Sequence, residues 1–453
     1  MSGPGAAATA PRRAAYEVLR RVFEHDAWAD RAFPAAAERH GLDARERAQA
    51  QRLAYGAVQR RGTSDHFIAS LTRRKLTGLD GAVLASLRLG LFEILFSETA
   101  DHAAVDGAVE LAKTGMRHGG SRRAAGASGL VNAVLRRAAT ERDDLVASMS
   151  EETPADAAVA HSVPVWLAEM WWEELGAESA RSLLGSLNEP PETVMRANTL
   201  RTTPDALRAN LEASGEPLAP SGDDGLLDPP ESVRWIGPLG EAALGALGEG
   251  LMFAQSRGAQ AVVGVLDPRP GERVLDLCAG PGIKTTAIAA RMKGEGEVVA
   301  VEQDAGRARQ VSELAERAGA DNVRVLLADA SGRLGGYPDG QGYDRVLVDP
   351  PCSDLGTFAS RPDARWRKDP ATIERLVGIQ GAILGTGVAA LRPGGTLVYS
   401  TCTISVRENE EVIAAALASN PGVECAQRLE VRPDRDGTDG FFIAGLRKAD
   451  PGV

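Results

Sequence analysis

A chain of 453 residues exceeds what one compact core encloses, and two or three domains are expected. With 43% hydrophobic and 25% charged residues it is globular rather than disordered or fibrous. A run of roughly eighteen apolar residues is absent, and Met1 to Ala10 lacks a basic segment followed by an apolar one, which predicts a cytoplasmic chain, neither membrane-spanning nor secreted. The net charge of −11 is uneven: residues 1–145 hold 22 Lys+Arg against 17 Asp+Glu, so the acidic total does not exclude a polyanionic partner for the N-terminal part. Solvated helix faces explain the same surplus. The cysteines Cys278, Cys352, Cys402 and Cys425 form no CxxC pair and have no ligand-spaced histidines, which predicts free thiols and no metal.

From Arg12 to Arg142 apolar residues recur at three- and four-residue spacing: Ala15, Val18, Leu19, Val22 and Phe23, then Leu84, Leu87, Leu91 and Leu95, then Leu130, Val131, Val134 and Leu135. Prolines are nearly absent between Pro34 and Pro154, so an all-α bundle of about six helices is expected over residues 1–145. Arginines cluster as Arg12-Arg13, Arg20-Arg21, Arg60-Arg61, Arg73-Arg74-Lys75, Arg122-Arg123 and Arg136-Arg137. Such doublets suit successive phosphates and equally suit solvated helices.

Residues 146–250 shift toward Pro, Gly and Trp. After His161-Ser162-Val163-Pro164, Trp166, Trp171 and Trp172 stand at a spacing that favours a core over base stacking. Asn188-Glu189-Pro190-Pro191 breaks the segment, Thr193 to Ala197 alternates as a strand, and Pro204 starts a helix through Leu211. A small α+β connecting subdomain is expected.

Over residues 251–453 strands and helices alternate. Arg273 to Leu277, Val298 to Glu302, Val323 to Leu327, Arg345 to Asp349 and Thr396 to Ser400 are short β-branched runs, which predicts a doubly wound, mostly parallel, Rossmann-like sheet. Leu391-Arg392-Pro393-Gly394-Gly395 reads as a turn before the last of them.

The first strand runs into Cys278-Ala279-Gly280-Pro281-Gly282-Ile283-Lys284, a glycine turn that opens a helix where open α/β sheets bind nucleotides. The next strand ends in Glu302, suited to both ribose hydroxyls of an adenosine, and a third leads to Asp329, suited to the adenine amino group. A glycine turn followed by an acidic residue about twenty positions on also fits a dinucleotide dehydrogenase. No GxGxxG is present, however, and Lys284 matches the carboxylate of an amino-acid tail, which S-adenosylmethionine has.

Asp349-Pro350-Pro351-Cys352-Ser353 and Tyr399-Ser400-Thr401-Cys402-Thr403 each bring a cysteine to the mouth of the sheet. Methylating carbon 5 of cytosine requires a nucleophile at carbon 6, and a thiolate suits that step. Asp349 suits N3 if burial raises its pKa and the N4 amino group if it is ionised. Cys278 lies in the turn and reads as packing, and Cys425 has no motif around it. Which of Cys352 and Cys402 attacks is open at this point.

At these residues the chain resembles the Sun/Fmu/RsmB group of RNA cytosine-C5 methyltransferases, whose motifs DLCAAPGGKT, DAPCS and YSTCS stand here as Asp276 to Thr285, Asp349 to Ser353 and Tyr399 to Thr403. The resemblance implies that Cys402 attacks carbon 6 and that Cys352 assists release of the product. It also implies S-adenosylmethionine bound by the turn, Glu302, Asp329 and Asp349. Tyr16 to Arg137, including Gly129 to Arg137, resembles the helical RNA-binding domain of NusB, a fusion that marks the bacterial 16S rRNA enzyme. Arg196-Ala197-Asn198-Thr199 resembles the family's RNA-recognition-like subdomain. Gly356, Arg361-Pro362-Asp363 and Trp366 match as well, with the arginines of that run expected to face substrate. The implied product is 5-methylcytidine in 16S rRNA; because the target base must be unstacked, naked or partly assembled rRNA is the expected substrate, and a monomer is expected. Two departures stand out. Ile283 occupies a position that is usually glycine, which motivates a second reading of a catalytically weakened RNA-binding or assembly factor. Ser256 follows Gln255 where an acidic residue is more usual.

Overall fold

The computed structural model describes residues 8–116, 121–222, 225–332 and 342–450, so most of the Met1 to Ala10 stretch lies outside the described residues. Two compact units are present: Met1–Glu189 with Phe358–Lys368, and Pro190–Thr357 with Asp369–Val453. Among the described residues no helix is long and apolar enough to cross a membrane.

The first unit is all helical. Its bundle runs through Ala10–Glu24, Ala29–Arg39, Ala44–Gln59, Arg61–Thr72, Gly81–Phe96, Asp101–Gly115 and Ser121–Thr140. One more long helix than expected arises because Ala44–Gln59 and Arg61–Thr72 abut at Arg60 without a Gly or Pro to mark the break. Asp43 and Glu46 form a capping box at the start of the third helix, and Asp80 caps the fifth. That fifth helix is apolar on nearly every face and is buried along most of its length, as such a helix must be in water. Its two buried charges are paired: Arg88 Nε lies 2.7 Å from Asp65 Oδ1, and Glu93 Oε1 lies 2.8 Å from Arg12.

After the bundle, helices Pro154–His161, Val165–Leu175 and Ala177–Ser186 carry the tryptophans, of which Trp171 is fully buried. The later segment Phe358–Lys368 packs here. Of the arginines in this segment, Arg361 is exposed, whereas Arg365 is turned inward. It is fully buried, and its guanidinium donates to the carbonyls of Ser162, Leu187 and Phe358 and to Asn188 Oδ1 at 3.0–3.2 Å. Burial without a carboxylate partner lowers its pKa to about 9. Trp366 donates its indole N–H to Val58 O, and Arg61 lies between the rings of Phe23 and Trp366. The arginine clusters thus divide by role: Arg12, Arg60 and Arg61 serve the fold, whereas Arg73-Arg74-Lys75 and Arg122-Arg123 are exposed and carry no ion pair among the described residues.

The second unit contains two sheets. Strands β1 (Thr193–Ala197), β2 (Ser232–Trp235) and β3 (Met252–Ala254) form a small antiparallel sheet in the order β2-β1-β3. The large sheet comprises β4 (Arg273–Asp276), β5 (Glu297–Glu302), β6 (Val323–Leu327), β7 (Tyr343–Val348), β8 (Leu391–Thr401), β9 (Val423–Val431) and β10 (Phe441–Lys448), in the order β6-β5-β4-β7-β8-β10-β9. β6 to β8 are parallel neighbours, and β10 pairs antiparallel with both β8 and β9. Chain order reverses between β4 and β7, which opens a crevice at their carboxyl ends.

The stretch Leu391 to Gly395 is a bulge within β8 rather than a separate turn. Tyr343 faces Leu391 while Arg345 faces Thr396, and Gly394, at φ +72°, absorbs the extra residues. The two sheets are tied by Arg196, which is buried and donates to Gln255 Oε1 at 2.6 Å and Thr286 Oγ1 at 3.2 Å. Ser256 performs the task an acidic residue would, capping helix Arg257–Leu266 through Ala259 N–H.

Candidate active site

The carboxyl ends of five neighbouring strands, β6-β5-β4-β7-β8, meet the chemistry-bearing residues. At the end of β4, the buried carboxylate of Asp276 accepts from Thr285 Oγ1 at 2.7 Å and from Cys278 N–H, and burial pushes its pKa up to about 6. It anchors the turn that follows. Gly282 closes that turn at φ +110°, where an L side chain is strained, and an added Cβ would stand 3.1 Å from the backbone of Val311. Ile283 comes one residue later. It is the first residue of helix Ile283–Arg291, outside the left-handed region, and packs against the core, so it introduces no backbone strain.

At Gly280 a Cβ would stand 2.2 Å from Glu302 Oε2, and its absence lets Gly280 N–H donate to that carboxylate at 3.2 Å. Glu302 is buried at the end of β5, also accepts from Asp304 N–H at 2.9 Å and lies 3.4 Å from Arg307. Asp329, beyond β6, is exposed, and hydrogen bonds from the hydroxyl and N–H of Ser331 hold its carboxyl below the usual range. Pro281 and Ala279 complete the turn, with Ala279 buried. Burial raises the Cys278 thiol well above its ordinary value, which makes it a poor nucleophile.

The second group lies beyond β7 and β8. Lys284 Nζ stands 2.6 Å from Asp349 Oδ2, and Ser400 Oγ donates to Asp349 Oδ1 at 3.0 Å. The sequence matched Lys284 to a ligand carboxylate; here its partner is Asp349. Burial works against the Lys284 ammonium, yet the Asp349 carboxylate outweighs it and the pKa is raised.

Cys352 Sγ and Cys402 Sγ are 3.4 Å apart, and Asp354 Oδ1 lies 3.3 Å from Cys402 Sγ and 3.7 Å from Cys352 Sγ. Cys352 is buried and Cys402 half-buried. The hydrogen bond from Cys352 favours the Cys402 thiolate, but burial and the carboxylates of Asp354 and Asp349 outweigh it, and the Cys402 thiol is raised. Cys352, losing by that same bond and by burial, is raised well above its ordinary value.

What holds the two thiols together is a buried network that the sequence did not single out. Glu408, fully buried, accepts from Ser353 N–H at 2.9 Å, from the Ser353 hydroxyl, from Gln380 Nε2 at 2.9 Å and from Thr403 Oγ1 at 3.4 Å. Asn409 brackets Cys402, accepting from Thr401 Oγ1 at 2.6 Å and donating to Thr403 O at 3.0 Å. Tyr399 donates its hydroxyl to Glu408 O at 2.7 Å. Nothing local in Arg407-Glu408-Asn409 signals burial. Asp354 lies two residues from Cys352 and adopts φ +58°, which is uncommon for a residue other than glycine.

Three family profiles match in succession: the NusB family over residues 9–140, a ferredoxin-like domain of RsmF/B-like methyltransferases over 163–227, and 16S rRNA methyltransferase RsmB/F over 263–447. The chain is similar to the ribosomal RNA small subunit methyltransferase B of Erwinia tasmaniensis, 30% identical over 446 residues that cover 96% of this chain and 97% of that one. The protein of the same description from Escherichia coli is 31% identical, covering 89% of this chain and 91% of its own. This chain belongs to the RsmB/F family of rRNA methyltransferases.

The crystal structure of PH0851 superposes on 99% of this chain, and on all of its own, with a TM-score of 0.81 at 25% identity. As an RsmB/F member the chain is an S-adenosylmethionine-dependent rRNA methyltransferase. The glycine cradle beside Glu302 fits that cofactor, since a Cβ at Gly280 would stand against the Glu302 carboxylate and fill it.

Proposed function

We propose that this RsmB/F member transfers a methyl group from S-adenosylmethionine to carbon 5 of a cytidine in 16S rRNA, through a covalent bond between Cys402 and carbon 6. The observation that carries the reading is the pair of thiols 3.4 Å apart, delivered by two different strand ends next to the Lys284–Asp349 ion pair. A dehydrogenase has no use for that pair. The second reading, a weakened assembly factor, rested on Ile283, and an unstrained Ile283 at the start of a helix lends it no support.

In this reading the turn Cys278 to Lys284, Glu302, Asp329 and Asp349 hold the cofactor, with Glu302 toward the ribose and Asp329 toward the adenine. The cofactor supplies an electrophilic methyl group. Cys402 adds to carbon 6 as the thiolate, and the ring's electron pair becomes available at carbon 5. Asp349, held in place by Lys284 and Ser400, receives the N4 amino hydrogens and orients the ring. Once carbon 5 carries its methyl group, solvent water takes its hydrogen as a proton, the C–H electron pair re-forms the ring double bond and the S–C6 bond breaks. Cys402 departs with the sulfur electron pair, and Cys352, beside it, assists this release.

The target base must be unstacked to expose carbon 6, so naked or partly assembled 16S rRNA is the substrate in this reading, and we take a cytoplasmic monomer as the working form. We assign RNA binding to the NusB-like region of residues 1–145, with the exposed Arg73-Arg74-Lys75 and Arg122-Arg123 as phosphate contacts. Residues 146–250 form a connecting, RNA-recognition-like region and residues 251–453 the methyltransferase domain.

Methyl transfer from labelled cofactor to 16S rRNA tests the reading. Cys402→Ala is expected to be inactive and to form no adduct, whereas Cys352→Ala accumulates a covalent protein–RNA species. An adduct trapped by Cys402→Ala would reassign the nucleophile to Cys352.

A further inference from the structure

Asp354 is not needed by the reaction above, and it acts against it. A carboxylate oxygen 3.3 Å from the attacking sulfur disfavours the thiolate. Its position makes sense for a different ligand. In a tetrahedral zinc site, Zn–S bonds of about 2.3 Å and Zn–O bonds of about 2.0 Å put two sulfurs about 3.8 Å apart and each sulfur about 3.5 Å from the oxygen. Here the three edges are 3.4 Å between Cys352 and Cys402, 3.3 Å from Cys402 to Asp354 and 3.7 Å from Cys352 to Asp354. Each lies within a few tenths of an ångström of the ideal face, and the three ligand atoms lie within 4.8 Å of one another.

We propose that Cys352, Cys402 and Asp354 form a binding site for a thiophilic divalent cation of the zinc class, with the fourth coordination position left to water. Two observations make the site more than a chance cluster. The thiols come from segments fifty residues apart yet are held by Glu408 and Asn409, so two ligands are fixed before any metal arrives. Asp354 reaches both sulfurs from a left-handed backbone that costs free energy and persists only when surrounding contacts hold it. The charged groups around the site are Asp354, Asp349 with its partner Lys284, and Glu408 behind Ser353. The balance is simple. Each thiol loses its proton to solvent as a metal–sulfur bond forms, the carboxylate binds as it stands, and no redox step occurs. A cation held there occupies both thiols and therefore blocks adduct formation. Only that last consequence rests on the function proposed above.

The test uses the full chain, kept reduced with a phosphine under anaerobic conditions, and titrated with Co²⁺ as the probe. One Co²⁺ per chain is expected, with a thiolate-to-cobalt charge-transfer band and the absorption of a tetrahedral ion, both removed by Zn²⁺. Cys402→Ser and Cys352→Ser lose the charge-transfer band while their circular dichroism stays that of the wild type. Asp354→Asn, which keeps both thiols, weakens Zn²⁺ binding by about tenfold or more. No charge-transfer band in the wild type, or the same band in Cys402→Ser, overturns the proposal. Methyl transfer is measured separately, with Zn²⁺ inhibition reversed by a chelator expected. A protein that binds cobalt yet methylates no RNA would sink the functional reading and leave the metal site standing.

Discussion

The two halves of the sheet mouth are built from different materials. Beside β4 and β5, the pocket is shaped by backbone: Gly282 at φ +110°, Gly280 pressed against Glu302, and a helix that begins at once. Beside β7 and β8, the geometry is made by side chains reaching across the chain, with Glu408 and Asn409 tying Ser353, Thr401 and Thr403 into one block around the thiols. A backbone-built pocket fails gradually when altered, since a strained turn still presents its N–H groups. A side-chain network that excludes water fails abruptly, because each lost partner leaves another buried group unsatisfied.

Glu408→Ala should therefore be the most damaging change outside the thiols. It strands Ser353 N–H, takes from Gln380 Nε2 one of its two acceptors, costs about 2–3 kcal/mol of stability and lets the two cysteine segments drift. A misplacement of about 1 Å is worth on the order of a hundredfold in rate. The expected signature is a fall in kcat of that size with cofactor affinity intact. A loss of cofactor binding equal to the loss of rate would show that the two halves are not separable.

The next largest effect is on pH. Burial with Asp354 and Asp349 raises the Cys402 thiol despite the bond from Cys352, so the attacking thiolate is a minor species at neutral pH. Its fraction, and with it the rate of adduct formation in a single turnover, should climb by about tenfold per pH unit on the alkaline side of neutrality. Asp354→Asn removes one of the opposing charges and should move the profile toward lower pH. A flat profile between about pH 6 and pH 8, below the ordinary thiol pKa of about 8.5, would mean that attack is not limited by ionisation.

The same contrast decides what could be read in advance. The strands β4, β5, β6, β7 and β8, the turn at Gly280 to Lys284 and both cysteines are local patterns: β-branched runs, glycines at fixed offsets, a thiol after a strand. Their function follows from residues near them in the chain, so they are legible. β9 and β10 were not foreseen, because Val423–Val431 is a polar edge strand whose identity depends on its partner Phe441–Lys448. Glu408, Asn409 and Asp354 were missed for a related reason. A carboxylate carries no local sign of whether it will be solvated or buried, and these acquire their roles only when segments about fifty residues apart converge. Arg365 is a case in the other direction, a charge that the fold consumes through backbone carbonyls and Asn188 Oδ1.

The backbone-built half predicts smaller effects. Gly282→Ala forces a side chain into the left-handed region and against Val311, at a cost of roughly 1–3 kcal/mol. The expected result is about a tenfold weaker affinity for S-adenosylmethionine by calorimetry, with kcat at saturating cofactor little changed.

Ile283→Gly is the finest test, because it restores the residue more usual in the family. If Ile283 obstructed the cofactor, the substitution should tighten binding. The geometry argues for the reverse. Ile283 starts its helix with no backbone strain for glycine to relieve, and its side chain packs against the core that includes Ala287 and Leu314. Glycine there surrenders part of that buried surface and adds freedom to the unfolded chain, together worth about 1–2 kcal/mol. The expected outcome is a lower unfolding midpoint with cofactor affinity changed less than about threefold. A gain in affinity beyond that would mean that the Ile283 side chain, and not the backbone of Gly282, limits how closely the methionine tail approaches.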